Sequence, residues 1–106
     1  MRRGQFVVVA VSGDYGKPRP ALIIQADVFA GHPSVIVLPL TSELHEVPLF
    51  RISVPPGEQI GLRVESQIMV DKATTVPRAK IGPQIGHVDE QTMRKVEESL
   101  RGFLAL

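Results

Sequence analysis

The sequence predicts a small α+β domain, mostly β: a twisted, barrel-like antiparallel sheet followed by one carboxy-terminal helix. Three observations carry that expectation. Short runs rich in Val, Ile and Leu recur along most of the chain. Segments containing Gly and Pro, short enough to join neighbouring antiparallel strands, separate them. A single stretch with helical spacing of apolar residues comes last. With 106 residues and 43% hydrophobic side chains, the chain suits one compact domain over 1–106 that buries a core without staples.

The elements follow in order. Gln5 to Val11 is Val-rich and bounded by the turn cluster Ser12-Gly13-Asp14, which marks a first strand. Ala21 to Gln25 and Val35 to Leu40 read as two buried strands, and a meander is the simplest topology for the three. Leu49 to Val54 alternates so as to set Arg51 on one face, and Pro55-Pro56-Gly57 must stop it. Ser66 to Thr74 reads as one strand, Ile68 and Val70 opposite Met69 and Asp71, ending near Pro77. A short strand or turn over Ile81 to Val88 leads to the helix. Asp89 can cap it, Val88 can staple onto Met93, and Met93, Val96, Leu100, Phe103 and Leu104 recur at helical spacing, so the helix should close the core.

Composition narrows the function. No cysteine is present, which excludes a thiol nucleophile, a thiolate metal site and a disulfide frame, and suits a cytoplasmic setting. The two arginines before Phe6 to Val11 could suggest a secretory signal, but the run is short, lacks a small-residue cleavage pattern and passes into a turn. No stretch approaches the roughly 18 apolar residues that span a bilayer, so no membrane association is expected. Twelve basic and 11 acidic residues nearly cancel, unlike a duplex-coating protein, and leave nucleic acid as a locally contacted substrate.

The chemistry-bearing motifs are few. Phosphate-cradling glycine loops are absent, and His32, His45 and His87 stand apart without helical partners, so no metal or other cofactor is expected and solvated loop histidines are the plainer reading. An active site made from what remains must stabilise charge with cations and hydroxyls. Lys17-Pro18-Arg19-Pro20 frames an arginine with two stiff prolines; its planar guanidinium suits phosphate oxygens, whereas the plainer reading pairs Arg19 with Asp14 or Asp71. Thr41-Ser42 follows the apolar VIVLPL run at a strand end, where hydroxyls can bind phosphate or simply close a turn. Asp71 at a later strand end is either a site residue or a solvated or paired acid.

RRGQFVVVAV, KPRPALIIQAD, VIVLPLTSEL, GLRVESQIMVDKATTVPRAKIG and IGHVDEQTMRKVEESL occur in an order that resembles the MazF/PemK/Kid toxins over nearly the whole chain. The resemblance implies a compact SH3-like sheet with a terminal helix, a two-fold homodimer and a cognate antitoxin whose flexible segment blocks the groove. It further implies metal-independent cleavage of single-stranded RNA at a short preferred sequence. There a ribose 2′-hydroxyl attacks the adjacent phosphate, leaving a cyclic phosphate and a 5′-hydroxyl. The family's catalytic arginine falls on Arg19, as transition-state stabiliser and proton donor, and its catalytic hydroxyl on Thr41.

The chain departs from the pattern in places. Gln5 stands where many members have an acid, and Met69 where some have an arginine, so Asp71 lacks its expected neighbour and is carried, with Gln67, as an RNA contact. The short loop before Arg19 sets Tyr15 and Lys17 along the groove as further RNA contacts, Tyr15 by stacking on a base, and Ser42 beside Thr41 is carried as another. Two rivals share the fold: a gyrase-poisoning toxin that acts by binding protein, and a noncatalytic SH3-like module. The first carries a Trp-Gly-Ile tail, whereas this chain has no tryptophan and reads Gly102-Phe103-Leu104-Ala105-Leu106.

Overall fold

The computed structural model describes residues 1–10, 17–47 and 49–106. Seven strands form one antiparallel sheet: β1 (Gln5–Ala10), β2 (Pro18–Ile23), β3 (Ser34–Thr41), β4 (Arg51–Val54), β5 (Ser66–Met69), β6 (Thr74–Pro77) and β7 (Ile81–His87), followed by α1 (Glu90–Leu104). The expected meander holds for β1, β2 and β3. Thereafter the order is β4-β5-β3-β2-β1-β7, with β6 also on β3, because β5 inserts between β3 and β4 and β7 returns to β1. The expected antiparallel sheet with a terminal helix is present, and among the described residues no ladder joins β4 to β7, so the sheet is not closed into a full barrel.

Both faces of the central strands carry buried residues, which is why FVVVA and VIVL read as nearly continuous apolar runs, although Ile36 is exposed. Phe6, Leu22, Leu38, Leu40, Ile68 and Val96 fill one cluster. Val7, Val9, Ala21, Ile23, Val35, Val37 and Val76 fill the other. Alternation survives as a choice between two cores.

The single strand expected over Ser66 to Thr74 is interrupted. Leu40 pairs with Ile68 and Val37 with Thr74, so the returning chain has three residues more than β3 over that interval. The excess is the 3₁₀ turn Val70–Lys72, which drops Val70 into the core at 1% exposure. A hydrophobic pattern cannot show such a bulge, since the buried residues keep their spacing on both sides of it.

The helix forms as expected. Asp89 accepts a 2.7 Å hydrogen bond from the Thr92 amide, and the Thr92 side chain, followed by that amide, holds the Asp89 carboxyl below its ordinary value. Val96 is fully buried, and Val88, Met93 and Leu100 pack beside it. The last turn differs from expectation: Phe103 and Leu104 are about half exposed, because the helix outruns the sheet beneath it. The Phe103 ring lies 5.8 Å from that of Phe50, and the Ser99 hydroxyl donates to the Leu49 carbonyl nearby. None of the described helices is long and apolar enough to cross a membrane.

Candidate functional site

Arg19 lies on a strand, not in the loop its proline frame suggests. Pro18 and Pro20 fit there because β2 pairs with β1 from Pro18 onward but with β3 only from Ala21, where Ala21 faces Pro39. A proline without an N–H is tolerated where one side of the ladder has not begun. Continued by two residues, the β2–β3 register brings Arg19 opposite Thr41. The two residues, 22 apart in the chain, thus come to the same end of the β2–β3 pair, just beyond its last paired position.

They share a groove of about 600 Å³ that runs over the ends of β2 and β3. One wall carries Lys17, Arg19, Thr41 and Ser42; the other is the segment Gly61, Leu62, Arg63, Val64 and Ser66, with Val8, Leu40 and Ile85 below. Lys17 and Ser42 are exposed and Arg19 is half-buried, its Nε screened from solvent. Among the described residues the lining holds three cations and no carboxylate. A nearly neutral chain therefore concentrates positive charge where the hydroxyl-bearing residues Thr41, Ser42 and Ser66 also converge, a setting for an anion with several oxygens.

The Thr41 hydroxyl oxygen accepts a 3.0 Å hydrogen bond from the Glu43 amide, the turn closure that its place after a strand allows. Accepting there fixes the oxygen and leaves its own hydrogen to donate. The second wall is anchored by glycine. Gly61 has φ +74°, and a Cβ on it would lie 1.9 Å from the Ile85 carbonyl oxygen. Its absence lets this wall press onto β7.

Other expected site residues lie elsewhere. Gln67 is 6% exposed; its amide donates to the His45 carbonyl at 2.7 Å and accepts from the His45 N–H at 3.0 Å. With both ends used on the β3–β4 loop, Gln67 serves to hold that loop and offers little surface to RNA. Asp71 is also outside the groove. Arg51 donates to both its carboxylate oxygens, at 2.8 and 3.2 Å. Arg51 faces Met69 across the β4–β5 ladder, so the cation missing at Met69 arrives from the neighbouring strand. Tyr15 and Asp14 lie outside the described residues. His32, His45 and His87 are exposed, and no three His, Asp or Glu among the described residues gather as metal ligands.

Sequence reading does not single out Arg51 or Arg63 as site residues, since Arg51 gains its partner from the β4–β5 register and Arg63 its place from the loop anchored at Gly61. The Arg51 guanidinium holds Asp71 below the ordinary carboxylate range. A depressed folded value contributes stability that is complete above the unfolded value, near 4, and is lost as pH falls through the folded one. Urea midpoints of the wild type and Arg51→Gln should therefore differ by a constant gap above about pH 5 that narrows below about pH 4. A gap that does not change between pH 7 and pH 3 would remove the ion pair as its source.

Comparison with known proteins places this arrangement. Residues 2–104 match the sequence profile of the PemK-like, MazF-like toxins of type II toxin–antitoxin systems. The chain is 42% identical over 107 residues to a Mycolicibacterium smegmatis protein named "Probable endoribonuclease MazF", covering 100% of this chain and 98% of that one. In fold it is similar to the Mycobacterium tuberculosis toxin MazF-mt6, with TM-score 0.83 at 23% identity over 96% of this chain and 97% of that one. It is equally similar, with TM-score 0.83 and 21% identity over 100% and 96% of the two chains, to an endoribonuclease from a mycobacterial species solved with its cognate antitoxin. A match along nearly the whole chain, on a sheet that joins Arg19 to Thr41, makes this protein a member of the PemK-like, MazF-like toxin family.

Proposed function

We propose that this toxin is a sequence-preferring endoribonuclease that cuts single-stranded RNA without a metal ion. The observation carrying that reading is the meeting of Arg19 and Thr41 in one cationic groove. In the reaction the ribose 2′-oxygen gives up its proton and bonds to phosphorus. The bond from phosphorus to the 5′-oxygen then breaks, and that oxygen takes up a proton. The ends are a 2′,3′-cyclic phosphate and a 5′-hydroxyl, and DNA, lacking the 2′-hydroxyl, is inert. Arg19 offers a planar pair of donors to the pentacoordinate phosphate, and the Thr41 hydroxyl donates to another phosphoryl oxygen. Lys17 and Ser42 hold the strand beside them. Fixed charge of this kind neutralises the phosphorane in the way a metal ion otherwise would.

The same reading has the toxin act in the cytoplasm as a homodimer, held in check by a cognate antitoxin. The mycobacterial endoribonuclease solved with its antitoxin supports that partner. A flexible antitoxin segment that orders on the groove can cover a large surface and exclude RNA.

The test is incubation of the purified chain with a long single-stranded RNA in EDTA, followed by mapping of the ends. Discrete cuts with cyclic-phosphate and 5′-hydroxyl ends are expected. Intact RNA across varied sequences would instead make the chain a protein-binding member of the fold.

A further inference from the structure

We propose that Arg63 is a second phosphate-binding residue of the groove, gripping a phosphate other than the one being cleaved; this rests on the ribonuclease reading above. Arg63 lines the same groove as Lys17, Arg19 and Thr41, and it is exposed. An exposed arginine is ordinarily just solvated. Here two features distinguish it.

The first is a stiff base. Leu62, one residue before, is 7% exposed and part of the core. The Gly57 N–H donates to the Leu62 carbonyl at 3.1 Å, and the Gly61 N–H to the Gly57 carbonyl at 2.8 Å. Gly61 itself is pressed against Ile85 of β7. On the other side, the Ser66 hydroxyl donates to the Val64 carbonyl at 3.1 Å. Arg63 thus projects from a backbone secured before and after it, so little chain entropy is lost when its guanidinium binds.

The second is charge. Lys17 and Arg19 share with Arg63 a lining that, among the described residues, contains no acid. Three like charges around one groove repel one another, and a strand bearing a phosphate at every nucleotide relieves that repulsion at successive points. Arg19, opposite Thr41, takes the reacting phosphate, which leaves a flanking one for Arg63.

A contact to an unreacting phosphate is equally strong in ground and transition states, so losing it raises KM and spares kcat. It also releases a counterion, which gives each such contact on single strands about 0.7 in the slope of log affinity against log salt. The experiment measures cleavage of a single-stranded RNA oligonucleotide by the full chain from about 50 to 200 mM salt. Wild type is compared with Arg63→Gln, Arg63→Lys and Arg78→Gln. Arg78 lies by Pro33 and Gly82, outside this groove.

Arg63→Gln should raise KM about tenfold at low salt and lower the slope by about 0.7. Arg63→Lys should keep the slope by keeping the charge, and Arg78→Gln should behave as wild type. A wild-type KM and slope in Arg63→Gln would overturn the assignment, as would a loss confined to kcat. RNA left intact by the wild type would overturn the ribonuclease reading itself, which separates the two failures.

Discussion

Arg19→Ala is expected to slow RNA cleavage by about a thousandfold and to leave the melting curve near that of the wild type. The size follows from the job. Removing one preorganised donor from a developing oxyanion costs roughly 10²–10³ in rate, and arginines that stabilise phosphoryl transfer contribute 10³–10⁵. Arg19 has the means for both, because its guanidinium is planar and permanently charged and its backbone belongs to a paired strand with a proline on each side. Stability should change little, since the side chain lines an open groove and is not among the buried core residues. Arg19→Lys sharpens the test. It keeps the charge and loses the fork, so it should recover only a small part of the rate. Single-turnover cleavage with a thermal melt on each variant decides the matter. Wild-type rates in a folded Arg19→Ala protein would remove Arg19 from the chemistry.

Gly61→Ala is expected to cost about 3 kcal/mol or more of stability, the largest loss foreseen for adding one methyl group. Two penalties coincide. At φ +74° an alanine occupies a conformation that L side chains avoid. Its Cβ would also lie 1.9 Å from the Ile85 carbonyl oxygen and 2.6 Å from the carbonyl carbon. Both are backbone atoms of β7, which cannot swing aside as a side chain could. Relief requires moving the Gly61–Ser66 wall away from β7, so activity should fall with stability as Arg63 leaves its place. Gly57→Ala is the matched control in the same loop, because a Cβ at Gly57 meets nothing within 4 Å. It should stay within about 0.5 kcal/mol of the wild type. Urea midpoints read both variants, and equal midpoints for the two would show that the Gly61 contact relaxes at no cost.

The reading of the amino-acid sequence succeeded where the signal is local. The terminal helix was legible because its cap, its staple and its apolar spacing all lie within adjacent turns, and the three amino-terminal strands because each is a Val- and Ile-rich run between turn residues. Arg19 and Thr41 could be singled out by their proline frame and strand-end position, and the family resemblance named them together. The setting of Gln67, expected as an RNA contact, is not legible because a glutamine on a strand looks the same in sequence whether it faces solvent or, as here, clasps the His45 backbone. Asp71 was judged by its chain neighbour Met69, while its partner Arg51 sits across a ladder, 20 residues away.

By itself, then, the sequence determined the terminal helix, the apolar cores of most strands, and the cation and hydroxyl from which a phosphate site could be made. Only the tertiary structure decided which of these residues meet. The β2–β3 register sets Arg19 opposite Thr41, the three-residue excess at Val70–Lys72 lets one returning chain pair along β3, and the missing Cβ of Gly61 brings Arg63 to the facing wall. The physical reason is that propensity and periodicity act over a few residues, whereas register and close backbone approach are settled when distant segments compete for one core.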